Sequence, residues 1–326
     1  MFSRVCFALV ALGSIMGTAV AAQQPQTASV RSEAQRPAPP RQEHLDSASA
    51  ANALLLSCLN ALANGRPGKA EQLCGKALDL DPHSSTGYKL RGYAYLIEQR
   101  FERAAEDFRA ALRFRPDDAE SHAGYGRSLN GLGQFGLAVA EFSWAVSLSP
   151  LSAAYHNGLC WARAGTGRNL RTALGDCNRA LMLAPGTPGP LNSRGLVHLR
   201  LGRLKEAIAD YDTSLTAKAF QPSARFGRGL ARLRLHRTVS GVLDITEARR
   251  MDSQIDELFI GLGILRRACV SGDREGPNCP PGFPSRPEHK APSYPWLMAR
   301  VYAGPEQGFA LPAQIKRLNI RRSSAD

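Results

Sequence analysis

The sequence predicts an all-α fold, a solenoid of about six stacked helical hairpins that ends in a cap helix and an irregular tail. Small residues recur at steps of 34, 34, 34, 35 and 34 residues, each inside a first helix. The second helix that follows repeats an alanine, a bulky residue and another small residue in the same register. Since no single hairpin can bury its apolar face alone, this period indicates hairpins that stack on one another.

One unit shows most clearly why the segments are helical. Residues 101–114 read FERAAEDFRAALRF, with apolar residues three and four apart, which places them on one helical face. Acidic residues near its start and arginines near its end suit the helix dipole. Pro116 stops this helix, and 88–97 supplies its partner with Gly92 at the middle. We therefore expect two antiparallel helices in close approach.

The repeat is defined by four positions that recur in every unit. The small position of the first helix holds Cys58, Gly92, Gly126, Cys160, Gly195 and Gly229. The alanine position of the second helix holds Ala70, Ala104, Ala138, Ala173, Ala207 and Gly241. The bulky position, expected to fill the gap between successive hairpins, holds Cys74, Phe108, Phe142, Cys177, Tyr211 and Ile245. The next small position holds Ala77, Ala111, Ala145, Ala180, Ser214 and Ala248.

Four second helices are expected to end at prolines, namely Pro82, Pro116, Pro150 and Pro185. The single extra residue of the fourth unit is expected in the 165–170 turn. After the sixth unit, 256–268 predicts a cap helix that covers the last hairpin.

This pattern resembles the tetratricopeptide repeat family. The unit 85–118 carries residues where the family expects them, at Tyr88, Gly92, Tyr95, Ala104, Phe108, Ala111 and Pro116. Arg91 departs from the family pattern, which has Leu there, and Arg194 and Arg228 repeat the departure. The resemblance covers about 51–255 and implies a right-handed superhelix with a concave face.

Both ends of the chain differ in composition from the repeats. Residues 1–22 resemble a secretory signal peptide, because a short apolar stretch leads to an A-x-A cleavage pattern. The stretch is too short for the alternative, an uncleaved anchor helix. We expect a disordered Pro/Gln/Ala-rich linker at 23–49, the solenoid with its cap at 50–268 and a Pro-rich, mostly irregular basic tail at 269–326. This organisation predicts export to a bacterial periplasm, with no integral membrane span after signal cleavage.

Cysteines replace the small and bulky residues together in two repeats, and not in the three repeats that keep Gly and an aromatic. Facing positions on paired helices come within disulfide range, and an exported chain meets an oxidising compartment. Two pairings follow from this logic and the third by elimination: Cys58–Cys74, Cys160–Cys177 and Cys269–Cys279. The alternatives are cysteines that serve as small buried residues and cysteines that bind metal, and no C-x-x-C spacing supports the second.

The sequence offers no catalytic motif. It contains no G-x-x-x-x-G-K-[ST], no G-x-S-x-G and no H-E-x-x-H. Its seven histidines fall in packing positions, turns, the linker or the tail. We therefore expect no enzyme, no cofactor and no metal.

Helical geometry and the family pattern predict which side chains face the concave groove. They lie three residues before and one, four and five residues after each small position. The polar and aromatic members of this set are Lys89, Tyr93, Arg127, Asn130, Asn157, Trp161, Asn192, Arg200, Phe226 and Arg234. Asparagine amides can bond an extended backbone, and cations suit an acidic peptide or its terminal carboxylate. The alternative is a spacer whose groove residues are merely solvated and whose ends make the contacts.

The net charge of +13 points to anionic partners or surfaces. We expect an exported scaffold or adaptor that binds peptide or protein partners in the cell envelope, acidic ones included. Export argues against nucleic acid. Two alternatives stay open: a binder of anionic envelope polymer or lipid, and an accessory subunit docked by its C-terminal tail.

Overall fold

The computed structural model describes residues 41–271 and 279–285, and the regular structure in these ranges is entirely helical. The helices are α1 (Arg41–Ala63), α2 (Pro67–Leu80), α3 (Ser85–Ile97), α4 (Phe101–Phe114), α5 (Ala119–Gly131), α6 (Phe135–Leu148), α7 (Ala153–Thr166), α8 (Leu170–Leu183), α9 (Pro188–Arg200), α10 (Leu204–Ala217), α11 (Pro222–Arg234), α12 (Thr238–Met251), α13 (Ile255–Gly261) and α14 (Arg267–Ser271). The predicted all-α solenoid of helical hairpins is confirmed. None of the helices described combines the length and apolar character that a membrane span requires.

The hairpins stack in a regular order. The second helix of one hairpin packs on the first helix of the next, as α4 does on α5 and α6 on α7. First helices also contact one another, in the pairs α3–α5, α5–α7, α7–α9 and α9–α11. These five helices therefore lie side by side and form one surface, which we call the first-helix surface.

The bulky position fills the gap between successive hairpins, as the sequence predicts. Phe108 is fully buried between Gly92 of its own hairpin and Gly124 of the next. A Cβ atom at Gly124 would overlap with the Phe108 ring. Phe142 has the same relation to Gly158. Each large ring thus requires a glycine in the following first helix.

The ends of the second helices follow the predicted proline stops. Helices α2, α4, α6 and α8 each end two residues before one of these prolines. The extra residue of the fourth unit lengthens α7 to 14 residues, where α3 has 13. The chain then turns at Gly167, which has a φ of +69° that favours glycine.

Helix α1 begins earlier than the sequence predicts. It starts at Arg41, inside the 23–49 segment expected to be disordered, and this part of the expectation is corrected. No proline follows Pro40 before the apolar part of the helix, so helix formation can propagate back to that residue. The predicted signal peptide and residues 23–40 lie outside the described residues.

The predicted single cap helix is divided into two short ones. Gly263, with a φ of +67°, turns the chain after α13, and α14 forms separately. Ile255, Leu258 and Phe259 of α13 are buried on the last hairpin. The covering role expected of 256–268 is therefore filled mainly by α13.

Part of the predicted irregular tail packs on the solenoid. Phe283 is buried, with its ring centroid 6.3 Å from that of Phe226. Arg249 lies over the Phe283 ring at 5.2 Å and donates a hydrogen bond of 2.9 Å to the Pro284 carbonyl. Residues 279–285 thus cover the end of the last hairpin, and 286–326 lie outside the described residues.

The three predicted cysteine pairs lie at the distance of a disulfide. Their Cα–Cα separations are 5.6, 5.3 and 5.4 Å, for Cys58–Cys74, Cys160–Cys177 and Cys269–Cys279. The first two pairs join the two helices of one hairpin, and the third holds the 279–285 segment beside α14.

Candidate partner-binding surface

The predicted groove residues occupy two different environments on the first-helix surface. Five are partly exposed: Lys89, Arg127, Asn157, Arg200 and Arg234. The other five are buried: Tyr93, Asn130, Trp161, Asn192 and Phe226. The ten side chains therefore do not line one open groove, because neighbouring first helices pack closely enough to enclose half of them.

At the N-terminal end, Lys89 is already neutralised by the next hairpin. Its Nζ lies 3.1 Å from Asp118 and 3.0 Å from Glu120, at the start of α5. These carboxylates lie outside the repeat positions that predict the groove. An acidic peptide would have to compete with them for this cation.

Two tyrosines belong to the same N-terminal region. Burial raises the pKa of Tyr93 well above its ordinary value, and its ring meets Phe108 edge to face at 5.1 Å. Burial, with the negative charge of Glu120, raises the pKa of Tyr155 to about 12. Both hydroxyls are therefore protonated at neutral pH.

The middle of the surface holds buried amides without partners. Both polar atoms of the Asn130 side chain are buried and have no hydrogen-bond partner within the described ranges. The Oδ1 atom of Asn157 is in the same condition there. Trp161 is only 3% exposed and contributes to the core. Of these three residues, Asn157 is thus the one that stays partly exposed, and its amide is predicted to face a bound peptide backbone.

Asn192 has a structural role between two first helices. It donates a hydrogen bond of 3.1 Å to the Ser223 hydroxyl of α11, and both residues are buried. Asn157 and Asn192 lie three residues before the small positions of successive repeats, and the sequence predicts that their amides face a bound peptide backbone. In the structure Asn192 instead joins α9 to α11.

Phe226 lies in the core at the C-terminal end. It is fully buried, and its ring centroid is 4.6 Å from that of Phe259 in α13. Together with Phe283 it forms an aromatic cluster under the cap. Its predicted place in a groove is corrected, because α13 and the 279–285 segment cover that part of α11.

Arg200 and Arg234 are brought together by the structure. Both line one cavity of about 560 Å³, beside the turn after α7 and the segment that contains Cys279. The sequence placed them at equivalent positions of successive repeats, and stacking of α9 and α11 makes them neighbours at one site. No grouping of three or more His, Cys, Asp or Glu able to hold a metal ion occurs in the part of the chain described.

The comparisons with known proteins agree with this architecture. The tetratricopeptide repeat family model matches residues 59–119 and 192–250. Human tetratricopeptide repeat protein 6 is 27% identical over 143 residues, which is 43% of this chain and 27% of that protein. The chain thus spans about a quarter of the length of this curated relative.

Solved structures show the same fold at low identity. The APC/C hetero-tetramer Cut9–Hcn1 is similar with a TM-score of 0.56 and 15% identity, over 65% of this chain and 43% of that one. The type IV pilus biogenesis factor PilW gives 0.51 and 19%, over 66% and 95%. PilF of Pseudomonas aeruginosa gives 0.50 and 18%, over 64% and 94%. The hairpins and their stacking order are those of the tetratricopeptide repeat fold, and residues 59–119 and 192–250 match the model of the tetratricopeptide repeat family.

Proposed function

We propose that this protein is an exported scaffold or adaptor that binds protein or peptide partners of the cell envelope through the first-helix surface. The observation that carries the proposal is the side-by-side packing of α3, α5, α7, α9 and α11. Five first helices that contact in sequence offer one extended platform, and solenoids commonly bind partners through such surfaces.

Two observations support the compartment. Three cysteine pairs at disulfide distance suit an oxidising environment, and 1–22 resembles a signal peptide. The structural neighbour PilW is described as a type IV pilus biogenesis factor, and a role in assembly outside the cytoplasm is in keeping with this proposal.

The partly exposed residues define where a partner would make contact. Arg127 and Asn157 lie on adjacent first helices, α5 and α7, which pack against each other. A guanidinium and an amide can together hold an acidic side chain and the adjacent peptide backbone. The buried residues Tyr93 and Trp161 would act by holding these helices in place, without contact to the partner.

A crosslinked pull-down from envelope extract tests the proposal. It compares the full chain, the double variant Arg127→Glu/Asn157→Ala and the control Arg109→Glu, which makes the same charge change at an exposed site of α4. We expect a discrete partner with the full chain and the control, at both low and high salt, and its loss from the double variant. Equal recovery by all three proteins would refute contact at this surface.

The same experiment separates the two alternatives. Recovery of anionic polymer or lipid alone, lost at high salt and equal for all variants, would favour a binder of envelope polymer. Loss of the partner on deletion of 286–326, with the double variant unaffected, would favour an accessory subunit docked by its tail.

A further inference from the structure

The end of each first helix meets the start of the preceding second helix. Gly131 of α5 lies against the ring of Phe101 at the start of α4. Gly165 of α7 lies in the same way against the ring of Phe135 at the start of α6. A Cβ atom on either glycine would overlap with the ring. These two hairpins therefore leave no room for a side chain at this position.

At the two following contacts of this kind, the second helix has the smaller residue and the first helix has the larger one. The large rings are replaced by Leu170 and Leu204, and the glycines by Arg200 and Arg234. Leucine is smaller than phenylalanine, so the exchange makes room for a side chain at the helix end. In both hairpins the residue that enters is an arginine.

The two arginines line the same cavity. Its volume is about 560 Å³, and its wall also includes Gly167, Leu170 and Cys279. Gly167 lies directly against Arg200, because a Cβ atom there would overlap with the guanidinium Nη1. Backbone without a side chain thus lies directly against the cation.

Neither guanidinium is paired with a carboxylate in the described part of the chain. Among the described residues, Arg234 makes only long hydrogen bonds, 3.4 Å to the Leu199 carbonyl and 3.5 Å to that of Ile264. The Nε atom of Arg200 is buried and has no hydrogen-bond partner among the described residues. Burial lowers the pKa of both arginines below the ordinary value.

This condition contrasts with that of four other arginines enclosed between helices. Each of these four forms an ion pair with an aspartate of the second helix of its own hairpin, and they are Arg91, Arg163, Arg194 and Arg228. A guanidinium partly withdrawn from water without an anion destabilises a protein, so an anion bound at this cavity would be stabilising.

We propose that the cavity binds an oxyanion, the carboxylate or phosphate group of a ligand, between the guanidinium groups of Arg200 and Arg234. Planar guanidinium groups bind both anions through paired N–H donors, which suits either chemistry. The site goes beyond the proposed function, since a small oxyanion can occupy it with no partner protein present. The Cys269–Cys279 pair keeps one wall of the site in place.

Isothermal titration of the purified full chain tests the site, with inorganic phosphate and succinate as separate probes. The variants are Arg200→Gln and Arg234→Gln, and the control is Arg237→Gln, which removes an equal charge at an exposed turn residue. We expect saturable binding of at least one probe, about 10-fold weaker in each site variant and unchanged in the control. The probe that binds more tightly identifies the chemical class of the ligand.

Two results would overturn the proposal. One is no saturable binding of either probe up to about 10 mM. The other is binding reduced equally by Arg237→Gln, which would mean attraction to net charge alone. If Arg200→Gln does not fold, Arg234→Gln carries the same comparison. Because the titration contains no partner, its failure would leave the pull-down result untouched, and the reverse also holds.

Discussion

Arg91 binds Asp107 across the α3–α4 hairpin through two parallel hydrogen bonds. Its Nε and Nη2 atoms donate to the two carboxylate oxygens, both at 2.8 Å. Two later hairpins repeat the contact with the same spacing of 16 residues: Arg194–Asp210 and Arg228–Asp244. The arginine precedes the small position and the aspartate precedes the bulky one, so the arginines that depart from the family pattern belong to internal ion pairs.

Removal of one partner should be far more damaging than removal of both. Asp107 is buried, so Asp107→Ala leaves the Arg91 cation enclosed without its anion. We expect a loss of about 3 kcal/mol in the free energy of unfolding, measured by urea denaturation. The double variant Arg91→Leu/Asp107→Leu, which restores the family residue at 91, should recover most of that loss.

The exposed pair Arg250–Glu247 provides the control. Its atoms also approach to 2.8 Å, but the Arg250 side chain is 76% exposed. Glu247→Ala should therefore leave stability unchanged within error, since water replaces the lost contact. Equal losses for Asp107→Ala and Glu247→Ala would show that burial does not decide the strength of these pairs.

These ion pairs show how far sequence reasoning reaches in a repeat protein. The hairpins, the role of the bulky residues and the places of the pairs Cys58–Cys74 and Cys160–Cys177 follow from positions that recur at a fixed period. The same period could also have predicted the ion pair of Arg91, because an aspartate lies 16 residues after each arginine that departs from the family pattern. The glycine at 124 was also visible, two residues before a small position and opposite a large ring.

Burial on the first-helix surface was harder to predict. Helical geometry gives the direction of Asn130 or Phe226 but does not give the distance to the neighbouring hairpin, which decides whether the side chain meets solvent. The Arg200 cavity depends on the 279–281 segment, which belongs to no repeat. A periodic pattern carries no information about such features.

Asn130 should be replaceable by leucine with a gain in stability. Its two polar side-chain atoms are buried without partners in the described ranges, and Leu96, Leu199 and Leu233 occupy the same place in other repeats. Burial of an unsatisfied amide costs about 1–3 kcal/mol, so Asn130→Leu should raise the free energy of unfolding by roughly 1 kcal/mol or more. Thermal and urea unfolding of the purified variant measure the change.

The matched comparison is Asn192→Leu, where the amide does have a partner. This variant removes the hydrogen bond to Ser223 and leaves that hydroxyl buried, so it should lower stability. Opposite signs for the two asparagines are expected. A loss of stability in Asn130→Leu would indicate that its amide is satisfied in solution.

Tyr211 carries a hydroxyl that the fold does not use. It occupies the bulky position, its oxygen has no hydrogen-bond partner in the described part of the chain, and burial strongly raises its pKa. Tyr211→Phe should therefore stabilise the protein by about 1 kcal/mol, because phenylalanine suits this position in Phe108 and Phe142. Tyr88→Phe, at a partly exposed ring, should have almost no effect, and a destabilised Tyr211→Phe would contradict the expectation.

The cysteine pairs should be oxidised in the mature protein. Of seven cysteines, six are paired in the structure and Cys6 lies in 1–22, so the chain without 1–22 should give no reaction with Ellman's reagent, even when denatured without reductant. Cys160→Ala/Cys177→Ala, which opens a loop with a sequence separation of 17, should lower stability by about 3 kcal/mol. Four or more reactive thiols would show that the pairs are reduced.

Protonation of His198 should lower the free energy of unfolding in mild acid. Burial lowers its pKa below the ordinary 6.5, opposed by the charge of Asp210 and reinforced by that of Arg194 and Arg203. Because the pKa of His198 is lower in the folded chain than in the unfolded chain, the unfolded chain binds the proton more readily. The contribution of His198 to stability is therefore fully present above about pH 6.5. It is lost as the pH falls from there through the pKa of the folded state.

The variant His198→Gln isolates this contribution from all other titrating groups. Urea unfolding at pH 7.5, 6.5 and 5.5, compared between the two proteins, should show a steeper decline for the unmutated chain. Asp210 must be retained in both, because it faces His198 at 3.7 Å while it binds Arg194. Parallel curves would mean that the imidazole takes up a proton as readily in the fold as in water, and that Asp210 offsets the whole effect of burial.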